Sequence, residues 1–130
     1  MTPGVDVLLV DDESVIRDAA LRVLEAAGLG VASTGSGTAG LAHPAAESCR
    51  VVVCDLILPD VSGVDVVREL RRRRPELPIV VITGYASREA VSRAEEAGAS
   101  SFLAKPFDDA ELLAAVRGAL EAGSRGKEES

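Results

Sequence analysis

Short aliphatic runs alternate with longer amphipathic segments along this chain of 130 residues. Five apolar runs predict strands, at 5–10, 31–33, 51–54, 79–82 and 102–104. Several of these runs are continuously apolar instead of alternating, which is typical of parallel strands that are covered on both faces. The pattern therefore predicts a parallel sheet buried between two layers of helices.

Helical spacing of apolar residues predicts four clear helices, at 14–27, 63–74, 88–97 and 108–121. The first three are followed by residues that end helices, namely Gly28, Pro75 and Gly98. The connection between the second and third strands contains Gly37 and Pro44, so we expect its helix to be short or broken. Strands and helices in alternation predict an α/β domain of three layers.

The length and composition fit one folded domain with an aliphatic core. Hydrophobic residues make up 47% of the chain, yet it has no Trp, one Tyr and two Phe. We expect a single domain over 1–121, followed by a polar, flexible tail over 122–130. The basic run 71–74 is interpreted as the solvated last turn of a helix.

Charge and cysteine content narrow the classes of function. The net charge of −7 argues against direct binding of nucleic acid, and no apolar run approaches the length of a membrane span. No signal peptide is evident at the amino terminus. The spacing of Cys49 and Cys54 is typical of neither a disulfide framework nor a metal site, which favours a cytoplasmic location. Lysine is scarce: Lys105 and Lys127 are the only two.

Polar residues follow four of the five predicted strands. They are Asp11, Asp12 and Glu13 after the first strand, Asp55 after the third, Thr83 after the fourth and Lys105 after the fifth. Right-handed crossovers bring the carboxyl ends of parallel strands to one edge of the sheet. Clustered carboxylates repel one another, and an oxygen-only cluster with few protein ligands suits Mg²⁺. A carboxylate can also act as a nucleophile and form an acyl phosphate.

Four segments carry a resemblance to a known family. They are VLLVDDE at 7–13, VCDLILP at 53–59 with Gly63, ITG at 82–84 and KPF at 105–107. In this order, and each at the end of a predicted strand, they resemble the CheY-like response regulator receiver domain of two-component signalling. The resemblance implies a flavodoxin-like, doubly wound (βα)₅ fold with five parallel strands in the order 2-1-3-4-5.

The resemblance also implies roles for individual residues. Asp55 would accept the phosphoryl group, and Thr83 and Lys105 would bind it. Asp11, Asp12, Asp55 and the backbone carbonyl of Ile57 would hold Mg²⁺. Thr83 and Phe102 would act as the switch that reshapes the face formed by the fourth helix, fifth strand and fifth helix. Ile57 and Tyr85 would flank the site, and because neither can easily orient a water, we expect slow loss of the phosphoryl group.

Partners follow from the same resemblance. A bacterial sensor histidine kinase or a phosphotransfer protein would donate the phosphoryl group and contact the first helix near Ile16. An effector domain or protein would bind the switch face, and phosphorylation could produce a homodimer. Neither nucleic acid nor a membrane would be bound directly. Such a domain is no enzyme toward a separate substrate, since it catalyses only its own phosphorylation and dephosphorylation.

Three alternatives remain at this stage. The first is a receiver-like interaction module that works without phosphorylation. The second is a small nucleotide-binding domain, since Gly35, Gly37 and Gly40 match a dinucleotide fingerprint and Asp55 lies 20 residues beyond Gly35. Pro44 argues against it, because it interrupts the helix that should hold the pyrophosphate. The third is an aspartyl phosphatase, which would want an acid where Ile57 stands.

Overall fold

Five parallel strands form one sheet in a computed structural model of the chain, which describes residues 4–84 and 88–129, with side chains as far as residue 123. The strands are β1 (Val7–Val10), β2 (Val31–Thr34), β3 (Val51–Asp55), β4 (Ile79–Thr83) and β5 (Ser101–Ala104). Their order is β2-β1-β3-β4-β5, and all neighbouring pairs are parallel. The predicted fold class and strand order are confirmed.

Five α-helices connect or follow the strands. They are α1 (Ser14–Ala26), α2 (Gly37–Ala42), α3 (Gly63–Arg73), α4 (Arg88–Ala97) and α5 (Asp109–Glu129). A 3₁₀ turn over Pro44–Glu47 follows α2, so the second connection is indeed short and broken. Helix α5 begins with a reciprocal capping pair: the amide of Glu111 donates to Asp108 Oδ1 at 2.8 Å and the amide of Asp108 donates to Glu111 Oε1 at 3.2 Å.

The last helix is longer than the sequence pattern indicated. Helix α5 continues to Glu129, past the end predicted at residue 121. The segment beyond residue 121 contains no proline, so no residue there is barred from continuing the helix. The flexibility expected for 122–130 stays a prediction, because the helical conformation as far as Glu129 does not measure it. The domain boundary at residue 121 stays a prediction.

Two hydrophobic clusters cover the two faces of the sheet. Helices α2, α3 and α4 pack on one face, where Leu8 and Val10 of β1 are buried, and α1 and α5 pack on the other, where Val7 and Leu9 are buried. Alternate residues of each central strand thus enter opposite clusters, which explains the continuously apolar runs. Of the described helices, none has the length and apolar character to cross a membrane.

The basic run is only partly solvated. Arg72 and Arg73 pair with Glu69, whereas Arg71 donates to the Gly98 carbonyl from Nε at 3.2 Å and from Nη2 at 2.7 Å. Gly98 has a φ of 117°, which only glycine adopts readily, and a Cβ there would lie 2.7 Å from the Arg71 side chain. Arg71 therefore links the end of α3 to the end of α4.

Candidate functional site

The carboxyl ends of the strands bring the predicted site residues to one edge of the sheet. Asp11 directly follows β1, Asp55 and Thr83 are the last residues of β3 and β4, and Lys105 directly follows β5. Asp11, Asp55 and Thr83 are buried, and they are the buried polar residues among those the structure describes. Burial of polar groups costs free energy unless they are paired, and no such group is needed to pack the core. Their convergence therefore identifies this edge of the sheet as the site.

Lys105 lies at the centre of the cluster. Its Nζ is 2.7 Å from Asp55 Oδ2, 2.6 Å from Glu13 Oε1 and 3.1 Å from Asp11 Oδ2. Burial by itself lowers the pKa of Lys105, but its close contacts with the three carboxylates outweigh this effect and raise the pKa above its usual value. The side chain therefore stays an ammonium ion, and it compensates part of the negative charge around it.

The two oxygens of Asp55 have different partners. Oδ1 accepts a hydrogen bond of 2.9 Å from the backbone amide of Ile57, and Oδ2 accepts one of 2.7 Å from Lys105. The loop after β3 thus fixes the rotation of the Asp55 carboxylate. Its Oδ2 contacts the lysine, which also contacts the other acids of the cluster. A carboxylate held in this way is positioned before any reactant arrives.

Asp11 is fully buried and incompletely satisfied. Its Oδ1 accepts from the amide of Glu13 at 2.9 Å, whereas Oδ2 has no hydrogen-bond donor, although Lys105 lies 3.1 Å away. Burial raises the pKa of Asp11, the charge of Asp55 adds to this, and the contacts with Glu13 and Lys105 oppose it. A buried carboxylate oxygen without a donor is a group that a cation would satisfy.

The donor set fits Mg²⁺. Carboxylate oxygens of Asp11, Asp12, Glu13 and Asp55 lie within 4.8 Å of one another, and every one of these donors is an oxygen. Four carboxylates face the single ammonium group of Lys105, so a divalent cation would relieve their repulsion. The backbone carbonyl of Ile57 stays a predicted ligand.

Two residues at the site were not assigned a role from the sequence. Glu13 pairs with Lys105 at 2.6 Å, and Arg17 donates from Nη1 to the backbone carbonyl of Asp11 at 2.6 Å. Arg17 is one helical turn after Glu13, so both reach the same strand end from the start of α1. The four-residue spacing of Glu13 and Arg17 at the start of α1 is the sequence feature that could have indicated that both lie at the site.

The predicted switch and flanking residues differ in how far they are buried. Phe102 is half-buried on β5 and packs against the cluster formed with α3 and α4, while Thr83 is buried. Ile57 donates its amide to Asp55, and the residue is 63% exposed. Tyr85 lies outside the described residues. The roles of all four stay predictions.

The glycine-rich segment does not form a cradle for a dinucleotide. Helix α2 has six residues, and its first two amides, those of Gly37 and Thr38, already donate to the carboxylate of Asp60 at 2.9 Å each. A Cβ on Gly40 would lie 2.8 Å from Val10 Cγ2. The glycines therefore allow close packing of α2, and the amides that would bind a pyrophosphate are taken.

Comparison with known proteins agrees with the geometry. The profile of the response regulator receiver domain matches residues 7–117. The transcriptional regulatory protein FixJ of Azorhizobium caulinodans is 33% identical over 130 residues, and the C4-dicarboxylate transport regulatory protein DctD of Rhizobium meliloti is 33% identical over 121. The crystal structure of a CheY-like receiver domain protein from Methanospirillum hungatei is 28% identical, with a TM-score of 0.88, and the match covers 95% of this chain and 98% of that one.

The curated relatives are longer than this chain. The alignments cover 99% of this chain and 62% of FixJ, and 93% of this chain and 26% of DctD. The shared part is the receiver, because the family profile spans most of the chain and the solved receiver domain is covered almost completely. The chain belongs to the response regulator receiver domain family.

Proposed function

We propose that this domain accepts a phosphoryl group on Asp55, in the presence of Mg²⁺, from a phosphohistidine on a sensor kinase or phosphotransfer protein. The observation that carries the proposal is the placement of Asp55. Its carboxylate is held at the end of β3 by the Ile57 amide and by Lys105, and the Nζ of the same lysine lies 3.1 Å from the buried Asp11.

The transfer forms one bond to phosphorus and breaks another. A carboxylate oxygen of Asp55 forms a bond to phosphorus, the bond between phosphorus and the donor imidazole nitrogen breaks, and its electron pair stays on the imidazole. The product on this chain is an acyl phosphate. Such a reaction needs positioning and charge neutralisation more than acid–base chemistry, and the ammonium group of Lys105 supplies positive charge at Asp55 Oδ2.

Asp11, Asp12 and Asp55, with the Ile57 carbonyl, would hold the cation. When bound, Mg²⁺ would neutralise negative charge on the carboxylates and on the phosphoryl oxygens. The Thr83 hydroxyl would donate to a phosphoryl oxygen, and Lys105 would exchange one of its carboxylate contacts for a contact with a phosphoryl oxygen. Because Lys105 contacts three carboxylates at once, it can transfer one of these contacts and remain compensated.

The signal would leave through the face formed by α4, β5 and α5. Thr83 ends β4, and Phe102 lies on the neighbouring strand β5, paired in register with Val81. Movement of Thr83 toward the phosphoryl group would open space for the half-buried Phe102 ring. A phenylalanine has no hydroxyl, so this switch would act through packing alone. An effector domain or protein, or a second copy of the chain, would bind the altered face.

The phosphodonor would dock beside α1. Val15 on α1 and Ile57 in the loop after β3 are the large hydrophobic side chains that are exposed among the described residues, at 79% and 63%. Both lie close in sequence to acids of the site. Ile16, the residue expected to contact the donor, is half-buried, so Val15 offers more apolar surface. The reaction would take place in the cytoplasm, and the domain would act on no separate substrate.

Phosphorylation with a small donor tests the proposal. We expect acetyl phosphate with Mg²⁺ to add the mass of one phosphoryl group, and omission of Mg²⁺ or the Asp55→Asn substitution to prevent it. Asp65→Asn is the matched control, because Asp65 is an exposed acid on α3 whose carboxylate pairs with Arg68. A modification that persists in Asp55→Asn would refute the proposal. A wild-type protein that is never modified would favour an interaction module that works without phosphorylation.

A further inference from the structure

The loop between β3 and α3 carries the amide that orients Asp55. Besides the bond from the Ile57 amide to Asp55 Oδ1, Ile57 forms an antiparallel bridge with Ser62, and the amide of Gly63 donates to the Leu56 carbonyl at 2.9 Å. The loop thus closes on itself at its base. Its tip, at Asp60, needs a separate attachment.

Asp60 attaches the tip to the start of α2. Its Oδ1 accepts from the amide of Gly37 at 2.9 Å and its Oδ2 accepts from the amide of Thr38 at 2.9 Å. Oδ1 also accepts from the amide of Val61 at 3.0 Å. Hydrogen bonds from the Thr38 side chain and from these amides lower the pKa of Asp60 to about 2, so the carboxylate is charged at neutral pH. The negative charge also complements the amino end of the helix.

Gly37 makes the attachment possible. A Cβ at this position would lie 2.3 Å from Val61 Cγ2 and 2.8 Å from Val66 Cγ2. Any side chain would therefore push α2 away from the loop and lengthen both hydrogen bonds to Asp60. The glycine that resembled part of a nucleotide fingerprint is required for contact between α2 and the loop.

We propose that Asp60 is a positioning residue for phosphoryl transfer at Asp55, because it fixes the loop that orients the Asp55 carboxylate to the start of α2. The proposal rests on the proposed function for its kinetic consequence. Without Asp60, the loop keeps its base but loses its hydrogen bonds to the start of α2. The Ile57 amide is then less firmly held at Asp55 Oδ1, and the carbonyl of the same residue is less firmly held toward the cation.

The test compares two ways of weakening the start of α2. Asp60→Asn removes the charge and one acceptor, and Asp60→Ala removes the attachment. Ser36→Ala is the matched control, because the Ser36 hydroxyl caps the same helix by accepting from the amide of Ala39 at 3.1 Å, whereas Asp60 accepts from the amides of Gly37 and Thr38. Each variant is assayed for the rate of phosphorylation at saturating acetyl phosphate and for Mg²⁺ affinity followed by the NMR shift of the Ile57 amide.

We expect Asp60→Ala to slow phosphorylation and to weaken Mg²⁺ binding, each by about 10-fold, since loss of a group that orients a ligand typically has this effect. Asp60→Asn should lie between Asp60→Ala and the wild type, and Ser36→Ala should match the wild type in both measurements. Equal effects of Ser36→Ala and Asp60→Ala would overturn the proposal, because the loss would then follow from α2 stability alone.

Failure of the proposed function is a separate outcome. If the wild type is not phosphorylated, Asp55 is not the acceptor under these conditions, and the role of Asp60 is judged from the Ile57 amide alone. We then still expect its NMR shift and hydrogen exchange to change in Asp60→Asn and not in Ser36→Ala. An Ile57 amide that is unchanged in Asp60→Asn would overturn the proposal. Asp60→Asn serves for the kinetic comparison if Asp60→Ala does not fold.

Discussion

Replacement of Lys105 by Met removes the cation from the acidic cluster while it keeps most of the apolar stem. The Lys105 side chain is 13% exposed, and its partners Asp11 and Asp55 have side chains that are 0% and 6% exposed. The variant therefore leaves two buried carboxylates without their compensating charge. We expect it to fold but to be clearly less stable than the wild type when Mg²⁺ is absent.

The contact distances set the size of the effect. An ion pair at the 2.7 Å separation of Lys105 and Asp55 is worth about 6 kcal/mol at an effective dielectric constant of about 20. Desolvation of the charged groups opposes much of this attraction. Removal of one partner from a buried pair costs about 3–5 kcal/mol in measured cases. The contact with Glu13, whose side chain is 56% exposed, adds about 0–1 kcal/mol.

Chemical unfolding in EDTA and in Mg²⁺ measures the effect. We expect Lys105→Met to lower the free energy of unfolding by about 3–5 kcal/mol in EDTA. Mg²⁺ should restore more stability to the variant than it adds to the wild type, because the cation replaces the missing positive charge and binds the folded state. Arg68→Met is the control, since it breaks an exposed pair on α3. A Lys105→Met variant as stable as Arg68→Met in EDTA would refute the reasoning.

Further predictions concern the phosphoryl group, the acids and α4. Ile57→Ala should shorten the half-life of phosphorylated Asp55, measured by intact mass, because water reaches the site more easily; an unchanged half-life would count against this. Asp11→Asn should raise the thermal midpoint in EDTA, because it removes a buried charge, and should abolish stabilisation by Mg²⁺. Since the pKa of Asp60 is lowered to about 2, its contribution to stability should be complete above pH 4 and lost as the pH falls through about 2, which NMR of the Asp60 carboxyl would follow. Arg71→Ala should cost about 1–3 kcal/mol in urea unfolding, because it leaves the Gly98 carbonyl without its charged donors.

The fold was predictable because the apolar pattern of this chain is unambiguous. Runs such as 51–54 are buried on both faces and allow only a central parallel strand. The end of α5 was missed, since a polar segment with glycines resembles a tail unless neighbouring turns support it. Glycine lowers the stability of a helix by about 1 kcal/mol per residue but does not forbid it.

The site was predictable to the level of strand ends and no further. Sequence placed Asp11, Asp55 and Lys105 at one edge, because the crossover rule fixes where strand ends meet. It could not show that Lys105 contacts Glu13, since that distance depends on how α1 leaves the sheet. It also could not show that Asp60 accepts hydrogen bonds from the first amides of α2, because Asp60 lies in the loop between β3 and α3 and α2 lies between β2 and β3.

Reduction with borohydride tests the central claim most directly, because it converts the acyl phosphate of an aspartate into homoserine at the modified position. The protein is treated with acetyl phosphate, with or without Mg²⁺, then reduced, digested and sequenced by mass spectrometry. We predict homoserine at position 55, only when Mg²⁺ is present. Homoserine at Asp11, Asp12 or elsewhere, or at position 55 without any dependence on Mg²⁺, would contradict the account.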